Sequence, residues 1–225
     1  MIDIQIYMNE LTKALKIAFG DRLAYVGLQG SYLRGEATEH SDIDAMVVLD
    51  GMTMRDLDTY REVIFSIGDA DKSCGFICGK DDLLAWNPLE ICHVLHTTKD
   101  CYGTLSALIP SYDETDILNY IRVSVGNMYH ELCHRYIHAD AETNQRNLPY
   151  TYKGVFFILQ NIYYLKKGVF VQTKRELLPL LTAEDRKVME TAMRLSNGED
   201  YDFDKAFELL FSWCANTLKI NKFRI

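Results

Sequence analysis

Residues 27–49 read GLQGSYLRGEATEHSDIDAMVVL and hold two short motifs, each next to an apolar run. The first motif, Gly30-Ser31, follows the apolar residues 23–28, and the second, Asp42-Ile43-Asp44, opens the apolar residues 45–49. Because successive side chains of a strand alternate between its faces, this spacing places both aspartates on one face and Ile43 on the other. Two carboxylates on one rigid face predict a divalent-cation site, and such hard oxygen ligands suit Mg²⁺.

The Gly30-Ser31 motif has the features that a phosphate group requires. Glycine lets the backbone turn sharply and approach a ligand closely. A serine at the start of a helical turn adds a hydroxyl and free backbone N–H groups, which bind anions. An anion cradle beside a cation site predicts phosphoryl or nucleotidyl transfer, in which the protein positions groups and neutralises charge. The alternative is a polar hairpin in which Ser41 and Asp42 only cap a turn.

These residues together resemble the signature of the DNA polymerase beta-like nucleotidyltransferase superfamily, which is Gly-Ser, a gap of about ten residues and Asp-x-Asp between apolar residues. Arg34-Gly35 lies in the gap, as in many small bacterial members. Within the superfamily the chain is most similar to two-domain aminoglycoside nucleotidyltransferases and their uncharacterised relatives. The resemblance implies that Asp42 and Asp44 ligate Mg²⁺ and that Gly30 and Ser31 seat phosphates. Arg34 is a further candidate for the triphosphate, with pairing to Glu36 or Glu39 as the alternative.

The resemblance also implies a third acid, which ligates the second metal ion or accepts the proton of the attacking hydroxyl. We predict a strand over Leu89–His96, and Glu90 has the apolar neighbours that the superfamily favours at this place. Asp100, at the far end of the same segment, is the competing candidate. In related two-domain enzymes a lysine of the helical domain reaches the triphosphate. Lys153 is the candidate here, and surface solvation is the alternative role for this lysine.

Composition limits the class of protein. The chain has 225 residues, 48% of them hydrophobic, and only four prolines, which predicts ordered globular structure in one large or two small domains. We expect a cytoplasmic protein, because no apolar run reaches the roughly 18 residues of a membrane span and the first residues do not resemble a signal peptide. The six cysteines form no tight framework and are expected to be reduced.

The formal net charge is −8, which argues against a large nucleic-acid surface, because such surfaces neutralise phosphates with lysine and arginine. A negative field of this kind would instead attract a small or cationic acceptor.

The chain changes character near Pro110. Residues 1–110 alternate helix and strand patterns, which predicts an α+β nucleotidyltransferase domain with a mixed sheet of about four to five strands and flanking helices. Residues 111–225 carry only helical patterns and predict an all-helical bundle of about four helices. Its first helix is expected to begin with a capping box of Ser111 and Glu114 and to run to about Ala139. A polar loop is expected over residues 140–149.

A second motif, His130-Glu131-Leu132-Cys133-His134, matches the zinc-protease pattern His-Glu-x-x-His, in which the glutamate acts as base. A third zinc ligand would have to be His138, four residues further along the same helix face, which does not suit tetrahedral coordination. The predicted core stripe of this helix, Ile117, Ile121, Met128 and Leu132, turns the histidines away from the bundle core. We therefore expect a row of exposed or cleft-lining histidines here, with Glu131 as a candidate for an acceptor pocket.

The predicted function is a Mg²⁺-dependent nucleotidyltransferase that transfers AMP from ATP to a hydroxyl of a small molecule. By resemblance, the acceptor is an aminoglycoside-like antibiotic, which would make the protein a resistance enzyme. Three alternatives are a protein-adenylylating enzyme of the antitoxin type, a catalytically silent nucleotide-binding module, and a zinc hydrolase built on His130, Glu131 and His134. We expect neither nucleic-acid nor membrane partners, and the resemblance also allows a homodimer.

Overall fold

The computed structural model of the chain describes residues 2–219 and contains two compact units, the first ending at Ser111 and the second beginning at Tyr112. The elements of the first unit are α1 (Ile4–Phe19), β1 (Leu23–Leu28), α2 (Gly30–Arg34), β2 (Ile43–Leu49), α3 (Met54–Ile67), β3 (Ser73–Gly79), α4 (Lys80–Leu84), α5 (Pro88–His96) and β4 (Lys99–Tyr102). Those of the second are α6 (Glu114–His138), α7 (Ala141–Lys167), α8 (Lys174–Leu177), α9 (Ala183–Ser196) and α10 (Phe203–Thr217). The predicted α+β class is confirmed.

The four strands form one mixed sheet in the order β3-β2-β1-β4. Strand β1 is antiparallel to both β2 and β4, whereas β2 and β3 are parallel. Alternate side chains of the sheet enter two separate apolar clusters. Ile43, Ala45 and Val47 pack in the cluster that contains residues of α1 and α3, and Met46 and Val48 pack in the other. Successive side chains of β2 therefore pack on opposite faces of the sheet, as the Asp-Ile-Asp spacing predicts.

The prediction of a strand over Leu89–His96 is wrong, because these residues lie in helix α5. The Asn87 side chain accepts a hydrogen bond from the backbone N–H of Leu89, and Pro88 occupies the first turn, where its missing N–H costs nothing. Periodicity alone does not separate a short apolar strand from a buried helix of this length. The fourth strand is β4, a short edge strand that directly follows α5.

The second unit is helical as predicted, but its first cap lies two residues beyond the expected position. The Asp113 side chain accepts from the N–H groups of Thr115 and Asp116, and the Asp116 carboxylate accepts from the N–H of Asp113. The capping box therefore uses Asp113 and Asp116 instead of Ser111 and Glu114. The predicted core stripe of α6 is confirmed, since Ile117, Ile121, Met128 and Leu132 are all buried.

The polar loop predicted over residues 140–149 is also wrong, because this segment forms the first turns of α7. Asp140 caps the helix by accepting from the N–H of Thr143, and Pro149 lies inside the helix. A proline cannot donate to the carbonyl four residues earlier, here that of Gln145. The Tyr201 hydroxyl donates to this carbonyl instead, so a tertiary contact satisfies the group that the proline leaves unbonded.

The helices α6 and α7 contain 25 and 27 residues. Nevertheless, within residues 2–219 no helix combines the length and the apolar character that crossing a membrane would require.

A charged network fixes the start of α3 in the first unit. Arg22 donates to both carboxylate oxygens of Asp56 at 3.0 and 2.7 Å, and the Thr53 N–H and hydroxyl donate to the same carboxylate at 2.7 and 2.9 Å. These bonds, those from Arg22 first and from the Thr53 N–H next, hold the pKa of Asp56 well below its ordinary value of 3.8. The ionised carboxylate therefore stabilises the fold.

We expect Asp56→Asn to lower the midpoint of thermal unfolding by several degrees at neutral pH. A depressed folded-state pKa gives stability that is present above the unfolded value and is lost as pH falls towards the folded value. The difference between parent and variant should therefore shrink as pH falls below about 4. Unfolding midpoints over a pH series, with the exposed Asp58→Asn on the same helix as control, test this. A difference that stays constant with pH would contradict it.

Candidate active site

The Gly-Ser turn and the Asp-x-Asp strand meet at one end of the sheet. The backbone N–H of Gln29, the residue after β1, donates to the carbonyl of Asp44 at 2.8 Å. Gly30 has φ +70°, and a Cβ built on it would lie 1.8 Å from Oδ2 of Asp44. Only a glycine permits this approach without displacement of the carboxylate, so the turn and the second aspartate form one continuous surface.

Asp42 and Asp44 are close enough for their charges to interact. Asp44 is half-buried on β2, and Asp42 is exposed just before this strand. Burial raises the pKa of Asp44, and the charge of Asp42 raises it further, whereas a hydrogen bond with Cys74 and the charge of Arg34 act in the opposite direction. Ionised Asp44 is therefore less stable here than in water. A divalent cation would stabilise both carboxylates, so the residues present fit a cation site.

The candidate site offers two carboxylates, those of Asp42 and Asp44, to a cation. In the described part of the chain, no three His, Cys, Asp or Glu side chains are arranged to hold one metal ion. Mg²⁺ is commonly held by one or two carboxylates together with substrate phosphates and water, so a pair is sufficient for a nucleotide-bound ion.

Cys74 occupies the position beside Asp44 on the neighbouring strand. The parallel register of β2 and β3 pairs Asp44 with Cys74, and hydrogen bonding with this residue acts to lower the pKa of the Asp44 carboxyl. Local sequence patterns could not assign Cys74 to the site, because a parallel pairing joins residues about thirty positions apart. The residue that pairs with Asp44 on β3 is therefore a cysteine and not a third acid.

Ser31 and Arg34 lie in α2, the five-residue helix that follows the turn. Arg34 donates through Nε to Glu36 at 3.1 Å, so one of the predicted alternatives, pairing with Glu36, is present. The positive charge of Arg34 also acts on Asp44 and on His93 of α5. The contact between Arg34 and a triphosphate stays a prediction. The charge of Arg34 lies close enough to act on Asp44, which is consistent with that contact.

The end of α5 also faces this region. Burial, and next the positive charge of Arg34, lower the pKa of His93 to about 4, so its imidazole is neutral near pH 7. The Gln29 side chain donates to Thr98 Oγ1 at 2.8 Å, and the Thr98 hydroxyl donates to the carbonyl of Val94. These bonds connect the Gly-Ser turn to the C-terminal end of α5. Sequence reasoning missed Gln29, His93 and Thr98, since only the fold places them together.

The two candidates for the third acid have different surroundings. Glu90, in the first turn of α5, accepts a hydrogen bond from the indole N–H of Trp86, whose ring lies 6.2 Å from that of Phe76 on β3. Asp100, on β4, accepts from the Tyr25 hydroxyl at 2.7 Å and from the N–H of Leu105 at 3.4 Å.

Of the residues described, those that shift the pKa of Asp44 are Cys74, Asp42 and Arg34, and neither Glu90 nor Asp100 is one of them. The assignment of Glu90 stays a prediction. One observation supports this assignment. Glu90 is hydrogen-bonded to Trp86, whose ring is next to that of Phe76. Phe76 lies two positions from Cys74 and therefore on the same face of β3.

The candidates in the second unit are exposed or engaged in other contacts. Lys153 lies on α7, with its ammonium 4.7 Å from the ring centre of Tyr150, and its role at a triphosphate stays a prediction. Glu131, the base of the zinc-protease pattern, is ion-paired with Arg135 at 2.7 Å and accepts from Thr151 at 3.2 Å. His130 and His134 are exposed, as expected. This arrangement gives the zinc-hydrolase alternative no support.

A known protein is similar in sequence to part of this chain. The chain aligns with "Putative protein adenylyltransferase MJ1305" of Methanocaldococcus jannaschii at 37% identity over 54 residues, which are 24% of this chain and 37% of that protein. The match thus spans well under half of the relative's length.

Two solved structures are also similar. The first is spectinomycin adenyltransferase AAD(9) from Enterococcus faecialis, crystallised with ATP and spectinomycin. It has 15% identity and a TM-score of 0.63, with 96% of this chain and 99% of that chain covered, which indicates a shared fold. A toxin-antitoxin structure with AMP-PNP has 20% identity and a TM-score of 0.33 over 58% of this chain and 93% of that chain, too low to indicate a shared fold.

A family model described as "Nucleotidyltransferase domain" matches residues 8–81. This range contains the Gly30-Ser31 turn, Asp42, Asp44 and Cys74, whereas Glu90 and the C-terminal end of α5 lie outside it. The match therefore makes residues 8–81 similar to the nucleotidyltransferase domain family.

Proposed function

We propose that this protein is an adenylyltransferase that moves AMP from ATP to a hydroxyl of a small molecule. The observation that carries the proposal is the contact between the Gly30 turn and the Asp44 carboxylate, within a segment that matches the nucleotidyltransferase domain family. A turn that can receive phosphates then lies directly beside a pair of carboxylates that can hold their counter-ion.

In this proposal each residue of the site has one task. Asp42 and Asp44 hold Mg²⁺, which when bound neutralises phosphate charge and polarises the reacting phosphate. Gly30 and Ser31 seat the β- and γ-phosphates, and Arg34 balances their charge. The acceptor oxygen forms a bond to the α-phosphorus as the bond to the pyrophosphate oxygen breaks, and pyrophosphate leaves with the electron pair. Glu90 accepts the proton of the acceptor hydroxyl.

We expect Glu90→Gln to lower kcat by about 10²- to 10³-fold while the Kd for ATP changes little, because a general base acts on the acceptor and not on the nucleotide. Asp100→Asn is the matched variant. It weakens the hydrogen bond from Tyr25 and should lower stability more than kcat. Single-turnover rates and ATP titrations of both variants measure these effects. If Asp100→Asn lowered kcat more than Glu90→Gln did, Asp100 and not Glu90 would be the general base.

The domain organisation and the acceptor are proposed on the same basis. Residues 1–110 would be the nucleotidyltransferase domain and residues 111–225 a helical domain that contributes Lys153 to the triphosphate. The net charge of −8 favours a cationic acceptor such as an aminoglycoside-like antibiotic. Transfer of AMP to another protein is a second candidate, which the name of the 37%-identical relative favours.

The proposal can be tested by incubating the protein with α-³²P-labelled ATP and Mg²⁺, together with a panel of aminoglycosides or with a cell extract. Label on a small molecule, with release of pyrophosphate, supports the first candidate, and label on a protein supports the second. Mg²⁺-dependent ATP binding without any transfer would instead indicate a nucleotide-binding module. Absence of Mg²⁺-dependent ATP binding would contradict all three of these functions.

A further inference from the structure

Three histidines form an exposed row along α6 in the second unit. His130, His134 and His138 follow one another at four-residue intervals, and all three are exposed. The ring centres of His130 and His134 are 6.1 Å apart, and those of His134 and His138 are 4.8 Å apart. The row therefore contains two adjacent imidazole pairs that share His134.

We propose that His134, together with either His130 or His138, binds one divalent transition-metal ion, of the class of Ni²⁺, Cu²⁺ or Zn²⁺, on the surface of α6. Imidazole nitrogens are preferred ligands of these borderline ions, and histidines four apart on a helix face can chelate one ion. This site is separate from the proposed Mg²⁺ site, which uses hard carboxylate oxygens.

The geometry limits the site to two protein ligands and one ion. His138 lies eight positions after His130 on the helix, a rise of about 12 Å, so the outer two imidazoles cannot meet at one ion. This agrees with the lack of any three-donor metal cluster among residues 2–219. Because His134 belongs to both pairs, only one pair can be occupied at a time. The expected stoichiometry is therefore one ion per chain, with water completing the coordination.

The surroundings of the row leave the imidazoles available to a metal and hold them on one face. Glu131, the carboxylate within the row, is engaged with Arg135 and Thr151. Met128 and Leu132 are buried on the opposite side of α6, so packing fixes the helical backbone that carries the histidines. A pair that is already on one face loses little conformational entropy on binding, which favours chelation over binding by a single histidine.

Titration calorimetry with NiCl₂ in chelator-free buffer tests the proposal. The parent protein should bind one Ni²⁺, and His134→Ala, which breaks both pairs, should weaken binding by tenfold or more. His130→Ala and His138→Ala each leave one pair and should retain binding within a few-fold of the parent. The control is His40→Ala, which removes an exposed histidine from the first unit and should not change binding.

A second measurement connects binding to the helix. His134 and its partner lie side by side only while α6 is helical, so Ni²⁺ should raise the midpoint of thermal unfolding in the parent and in His40→Ala but not in His134→Ala. Circular dichroism without metal verifies that the variants fold. Equal Ni²⁺ affinity of His134→Ala and His40→Ala would overturn the proposal, as would a loss of binding in His130→Ala or His138→Ala as large as that in His134→Ala.

Discussion

The Asp44→Asn variant is expected to lose AMP transfer by about 10²- to 10³-fold, together with Mg²⁺-dependent ATP binding. The asparagine has the same shape but cannot provide the negative charge that a divalent cation requires. Folding should not suffer, because burial and the charge of Asp42 already make ionised Asp44 less stable than it is in water. The midpoint of thermal unfolding should be equal to that of the parent or higher.

Asp50→Asn is the matched control for this variant. Asp50 is exposed and directly follows the other end of β2, so the variant makes the same change of charge away from the site. Transfer rates and ATP titrations with and without Mg²⁺ should separate the two variants clearly. If Asp44→Asn transferred AMP as fast as Asp50→Asn, the aspartate pair could not be the cation site.

The second large effect is expected from Gly30→Ala. An alanine Cβ at this position would lie 1.8 Å from the Asp44 carboxylate, so either the carboxylate or the turn must move. We expect a loss of at least tenfold in ATP affinity and a larger loss in transfer rate, because positioning errors of about 1 Å cost about 10²-fold. Fluorescence titration with an ATP analogue and single-turnover kinetics measure the two effects.

Gly35→Ala separates crowding from backbone strain. Gly35 has φ +67°, close to the +70° of Gly30, but a Cβ built on it would meet nothing within 4 Å. Both variants should lose about 1–2 kcal/mol of stability, since alanine is strained in the left-handed region. Only Gly30→Ala should lose ATP binding beyond what this strain explains. Similar losses of binding in the two variants would show that strain, and not contact with Asp44, is responsible.

Local sequence was sufficient for the centre of the site. The Asp-Ile-Asp spacing placed Ile43 in one core cluster and Asp44 on the opposite face, because strand periodicity depends only on neighbouring residues. The sharp turn at Gly30 was also predictable, because it depends on the conformational freedom of a single glycine. The core stripe of α6 also followed from helical spacing, and with it the exposed row of histidines.

The errors occurred where a distant contact determines the local structure. Residues 140–149 look like a loop because they are polar and contain Pro149, yet they are helical, and the Tyr201 hydroxyl bonds the carbonyl that the proline leaves without a donor. The apolar pattern of residues 89–96 fits either a strand or a helix. The N-cap at Asn87 and the proline in the first turn favour the helix. The consequence is that Glu90 lies on α5 and not on a strand.

Spacing along the chain was enough to predict the Gly30-Ser31 turn, the position of Asp44 on the face of β2 opposite Ile43, and the division into a mixed α+β part and a helical part. The identity of the residues around Asp44 depends instead on long-range packing. Parallel pairing of β2 with β3 placed the Cys74 thiol beside Asp44, and the packing of α5 placed Glu90 next to Trp86 and His93 near Arg34. Strand registers and helix contacts join residues that are far apart in the chain, and local sequence patterns do not predict which of these residues come into contact.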